Sequence, residues 1–191
     1  MRLYLIYLKW SRYTWDMQKL SSELLSKPIV GVQNAETLGI LTGFIVKSSD
    51  FKIVVCIVTS TVSKNKLYLL PSDIRLVNND KIIIDSHQKL SDFEDLIRYQ
   101  HDITENYNVI GNKVETSSGK KLGRVSDFIF DPAHFYISKL YVKPGLLKSL
   151  MITNLLIDRA DVVDVKKNTI IVKDNCAKIK KTSPSVLPQS S

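Results

Sequence analysis

The stretch Leu38-Gly39-Ile40-Leu41-Thr42-Gly43-Phe44-Ile45-Val46 returns 84 positions later as Leu122-Gly123-Arg124-Val125-Ser126-Asp127-Phe128-Ile129-Phe130. The likeness continues outward. Ile53 meets Ile137 and Val58 meets Val142 at the same offset. Further on, Asp73-Ile74 meets Asp161-Val162, and Ile82-Ile83-Ile84 meets Ile170-Ile171-Val172, now 88 apart. Four extra residues therefore fall between Val142 and Asp161, around 144–149. An internal repeat of this length decides architecture before any local reading does. It predicts two copies of one small β-rich unit.

Within each copy, short β-rich runs are separated by polar turns, the spacing of antiparallel hairpins. A first run at 28–30 or 113–115 leads through a turn to a long strand at 39–46 or 123–130. A second turn, 47–50 or 131–134, leads to 51–59 or 136–142. Two more strands close each copy, at 66–70 with 81–85 and at 153–157 with 169–172. Gly39 and Gly123 open the long strands, where glycine permits the bulge or bend that a small barrel needs. Five or six such strands suit a compact barrel, because closure removes exposed edges. The fold class expected is all-β: two small antiparallel barrels joined by a short helix.

The joining helix is expected near 92–101. Ser91-Asp92-Phe93-Glu94 has the capping-box pattern, and Phe93, Leu96 and Ile97 follow at helical spacing. The organisation expected is an N-terminal arm over 1–16, a first unit over 17–90, a helical linker over 91–104, a second unit over 105–175 and a basic tail over 176–191. Residues 1–16 read as a loose arm or an upstream start before Met17, with an amphipathic surface anchor as the alternative. The tail is rich in Lys, Ser and Pro and reads as disordered.

The chain has 191 residues and a net charge of +8. That charge is uneven: residues 101–191 hold fourteen basic and nine acidic side chains, +5. Residues 17–100 hold ten and nine, +1. A basic half favours nucleic acid, anionic lipid or an acidic protein, or simply keeps the chain soluble. No apolar run approaches the roughly 18 residues of a membrane-spanning helix. Cys56 and Cys176 do not match in the repeat and give neither a disulfide framework nor a zinc spacing. They point to a reducing, cytoplasmic compartment.

Gly119, Leu122, Gly123, Val125, Asp127, Phe128, Ile129, Phe130 and Asp131 write a pattern that resembles the PRC-barrel domain. This module is found in the photosynthetic reaction centre H subunit and at the C-terminus of the ribosome maturation factor. The second copy resembles it well. The first is degraded: Ala35 stands for the leading glycine, Gly43 for Asp127 and Lys47 for Asp131. The resemblance implies a tandem PRC-barrel protein, with Gly39, Gly123, Asp127 and Asp131 as structural residues. It brings no catalytic residues.

Ser117-Ser118-Gly119-Lys120 fits Ser-x-x-Lys but sits at a hairpin turn without a companion motif. His87, His101 and His134 show no metal-ligand spacing. Asp92, Glu94 and Asp95 are accounted for by charge at a helix start. The expectation is no enzyme, no cofactor and no metal. Lys120, Lys121 and Arg124 are the candidate anion- or partner-binding residues, because the first copy has Glu36, Thr37 and Ile40 there. The function expected is a non-catalytic binding or adaptor protein that engages a protein partner. The alternative is a ribosome- or RNA-processing-associated factor acting through the basic second barrel. Self-association is left open.

Overall fold

The computed structural model describes residues 18–145 and 155–177. The expected N-terminal arm, nearly all of the tail and most of the predicted insertion lie outside them. The first half contains β1 (Lys19–Leu20), a one-turn helix α1 (Ser21–Leu24), β2 (Pro28–Gly31), β3 (Glu36–Lys47), β4 (Lys52–Ser60), β5 (Lys66–Leu69), β6 (Ile74–Val77), β7 (Ile82–Ile84) and β8 (Leu90–Ser91). A second helix, α2 (Gln100–Glu105), precedes β9 (Lys113–Thr116), β10 (Lys121–Asp131), β11 (Tyr136–Lys143), β12 (Leu155–Asp158), β13 (Val162–Lys166) and β14 (Thr169–Val172).

The same pairing scheme occurs twice. In the first half the path runs β5–β4–β3–β2–β7–β6; in the second it runs β12–β11–β10–β9–β14–β13. A 3-10 turn, Pro71–Asp73 or Arg159–Asp161, carries the chain from one end of each path to the other. Irregularities repeat as well. Both long strands shift register at Leu41/Gly43 and Val125/Asp127, and again at Ile45/Val46 and Ile129/Phe130. Left-handed backbone recurs at Ala35 and Gly119, and at Phe51 and Phe135. The extra residues of the second half fall between β11 and β12, within the interval the offsets define.

The repeated glycines answer to close backbone approach. A Cβ on Gly123 would stand 2.0 Å from the Lys143 carbonyl oxygen, and one on Gly39 would stand 2.8 Å from that of Thr59. The long strands skip one residue in their pairing with β2 and β9, and the residue skipped is Leu38 or Leu122. Both leucines turn inward and are buried. The glycine and the bulge together re-aim the leucine into the core.

The described strands form one continuous, open sheet of fourteen strands. Two features depart from the sequence expectation of two separate antiparallel barrels. Each half contains one parallel pair, β2 with β7 and β9 with β14. The halves are also joined edge to edge through β4 and β11. The short strands β6 and β13 were not anticipated. Each follows directly on a 3-10 turn and is too brief to show a period.

The connecting helix also differs. Residues 92–95 form turns, Ile97–Tyr99 a 3-10 turn, and only Gln100–Glu105 an α-helix. The capping box does not form, because Ser91 is drawn into β8, where it pairs with Tyr68. Asn106 ends the helix in a left-handed conformation, a residue type suited to that position.

One apolar core runs through both halves, from Leu24 and Ile29 to Ile170 and Val172. A smaller cluster lies on the other face of β3 and β4, where Ile45, Val54 and Val55 meet Tyr68, Leu96 and Ile103. That second cover explains why β4 is apolar without strict alternation. The helices cross over. α1 opens the first half but packs on β10, and α2 opens the second half but packs on β3. Ser21 and Ser22 each donate a hydroxyl hydrogen bond to the carboxylate of Asp127, which also accepts from the Phe128 amide.

Candidate functional site

The halves meet about an approximate two-fold axis, and matched residues face each other across it. Ile53 N–H donates to the Phe135 carbonyl at 2.8 Å, and Ile137 N–H donates to the Phe51 carbonyl at 3.0 Å. The two bonds are reciprocal, as in an isologous dimer interface. The Phe44 and Phe128 rings, also matched, lie 5.9 Å apart edge to face. Arg159 from the second half places its guanidinium 4.9 Å from the centre of the Phe51 ring, a cation–π contact.

A groove of about 650 Å³ opens beside this junction. The β3–β4 hairpin supplies Lys47, Asp50 and Lys52; α2 and the 3-10 turn before it supply Arg98, Tyr99 and Asp102; the β10–β11 hairpin supplies His134 and Tyr136. Ile53, Leu70, Pro71 and Phe135 are among the apolar lining residues. Charge is exchanged between the matched turns. Lys47 and Asp50 in the first half correspond to Asp131 and His134 in the second. Asp131 accepts from the Ala133 amide through one oxygen and faces His134 Nδ1 through the other. Asp50 accepts from the Lys52 amide at 3.1 Å. Each turn thus holds its own acid, while Lys47, Lys52 and Arg98 bring positive charge to the groove.

The residues singled out from sequence lie elsewhere. Lys120 and Lys121 stand exposed at the tip of the β9–β10 hairpin, with Lys121 opposite Glu115. Arg124 lies three residues along β10, and its Nη1 donates to the Gly111 carbonyl at 2.8 Å. Gly39 and Gly123 act as close-approach glycines, Asp127 ties α1 to β10, and Asp131 caps its turn. In the Ser-x-x-Lys stretch, Ser117 Oγ donates to the Val172 carbonyl and Ser118 Oγ to Asp174. The Ser118 hydroxyl, followed by the Ser118 amide, holds the Asp174 carboxyl below its usual range. Both serines therefore serve to tie the β9–β10 turn to the end of β14.

His101, Asp102 and Glu105 share one turn of α2 with their ligand atoms within 4.8 Å of one another. His101 has no ligand spacing to His87 or His134 in the sequence, and the cluster's own signal there is His-Asp-x-x-Glu. The groove residues were missed for another reason. They come from three distant segments, and only the two-fold arrangement unites them.

The family model for the PRC-barrel domain matches residues 102–175. A PRC-barrel domain is therefore present in this segment, which begins within α2 and takes in β9 to β14. No curated protein matches the chain. No helix among the described residues is long and apolar enough to cross a membrane.

Proposed function

We propose that the chain is a non-catalytic binding protein built from two PRC-barrel-like units, and that the junction groove receives a protein partner. The observation that carries this reading is the groove's composition. Tyr99, Tyr136 and Arg98 line it together with apolar residues such as Ile53, Leu70 and Phe135, and tyrosine and arginine are the residue types enriched where interfaces concentrate binding energy. The tandem reading is supported by the recurrence of pairing, bulges and left-handed residues in both halves. A reducing, cytoplasmic setting agrees with the two free cysteines, one of them buried.

The test is affinity capture with the full chain beside a groove variant, Arg98→Glu with Tyr136→Ala, and a surface control, Lys64→Ala. A partner held by the wild type and the control but released by the groove variant supports the reading. A partner held equally by all three excludes the groove. A second reading, association with RNA, is favoured by a row of cations on the second half.

A further inference from the structure

We infer that five adjacent strands of the second half, β13–β14–β9–β10–β11, form a docking row for the phosphodiester backbone of structured RNA; the inference rests on the RNA reading and gives it residues. The register places Lys166 beside Thr169, Thr169 beside Lys113, Lys113 beside Arg124, and Arg124 beside Lys143. Directly paired positions project to the same face of a sheet. Lys113, Arg124, Lys143 and Lys166 are all exposed, while the neighbours Val114, Val125 and Val142 are buried.

Like charges set side by side across strands disfavour the sheet, so the row is not a device for stability. Among the described residues none of its four cations has a carboxylate within 4.0 Å; the ion pairs of this half use Lys139, Lys173 and His134 instead. Arg124 is held by its Nη1 bond to the Gly111 carbonyl, one of the five donors a guanidinium carries. Lys167 extends the row at the β13–β14 turn.

The first half is an internal control. Its matching positions are Asn78, Lys81, Pro28, Ile40 and Thr59, with Pro28 beside Ile40 and Ile40 beside Thr59 in the same register. One cation stands there against four, so the fold does not require the charge. Lys19 and Lys27, which lie nearby, are both bonded to Asn79.

The ligand follows from the shape of the row. It spans about 19 Å at the usual strand spacing and is one residue wide. Next to it runs a mixed row, Asp164, Ile171, Glu115 and Lys121. A narrow positive line edged by acids suits a line of phosphates better than a broad lipid surface. No row position is aromatic, so bases are not stacked and recognition goes through the backbone.

The experiment is fluorescence anisotropy of a mixed-sequence RNA duplex with the full chain, at 50 and 200 mM salt. Three or four phosphate contacts predict an affinity loss of about 20-fold or more between those salt concentrations. The variant Lys113→Ala/Arg124→Ala/Lys143→Ala, with its fold checked by circular dichroism, should bind at least tenfold more weakly and with a shallower salt slope. Lys120→Ala/Lys121→Ala should change affinity less. If the triple variant binds as the wild type does, the row is wrong and the RNA reading stands. If the wild type does not bind RNA at 50 mM salt, both fall. Row-dependent binding to phosphatidylserine vesicles without RNA binding overturns the inference in favour of a membrane surface.

Discussion

Lys52 and Tyr136 are matched residues of the two halves, 84 positions apart, and they are paired across the seam of the sheet. Lys52 Nζ lies 5.4 Å from the centre of the Tyr136 ring. On either side, Phe51 and Phe135 hold left-handed backbone, with φ of 60° and 57°, and bury their rings. One residue type in one unusual conformation, placed twice, builds the seam from both sides.

Removing either ring should loosen both halves together. Phe135→Ala is expected to cost about 3–5 kcal/mol, with a single cooperative transition in urea. Two separated transitions would show that the halves are energetically independent.

The glycines of the long strands should not be equivalent. Gly123→Ala meets backbone at 2.0 Å and is expected to destabilise by about 2–4 kcal/mol. Gly43→Ala meets only the tip of Ile57 at 3.3 Å and should stay within about 1 kcal/mol of wild type. Thermal melts of the two variants decide the point.

Asp127 should hold the N-terminal helix to the opposite half. Asp127→Ala leaves Ser21, which is buried, without its acceptor, a loss of about 1–3 kcal/mol. Hydrogen exchange should quicken at Ser21–Leu24 first. Unchanged protection there would mean that packing alone holds the helix.

The two thiols should differ sharply in reactivity. Burial pushes the Cys56 thiol up to about 12, so almost none of it is thiolate at pH 8. Cys176 is also raised, by its own partial burial, but it is reachable. An aromatic disulfide reagent should label one thiol in the native chain and two in denaturant.

Asp174 should contribute to acid stability. Its folded value lies below the unfolded one because Ser118 donates to the carboxylate. The contribution is therefore present above about pH 4 and is lost as pH falls through the folded value. Ser118→Ala should move the Asp174 titration upward, as read by NMR.

Much of this architecture was legible in the sequence. The 84-residue offset gave the recurring hairpins, and Gly39 and Gly123 marked the bulges of the long strands, though not the close backbone approach that accompanies them. The short strands β6 and β13 were hidden behind 3-10 turns, and the capping box at Ser91 was overridden when Tyr68 recruited that serine into a strand. The seam could not be foreseen, because Phe51 and Phe135 look like ordinary core aromatics until their carbonyls are seen to receive each other's neighbours. The cationic row was hidden similarly. Lys113, Lys143 and Lys166 are scattered in the chain, and only the register aligns them with Arg124.

The exchanged helices have a bearing on how the protein can be cut. A fragment beginning after β8 keeps α2 but loses the strand on which α2 rests, and it uncovers the patch of β10 where α1 had lain. A fragment ending there has the opposite defect. The boundary that divides the text of the chain does not divide its contacts, so a cut there leaves each part with a helix parted from its strand and a strand parted from its cover.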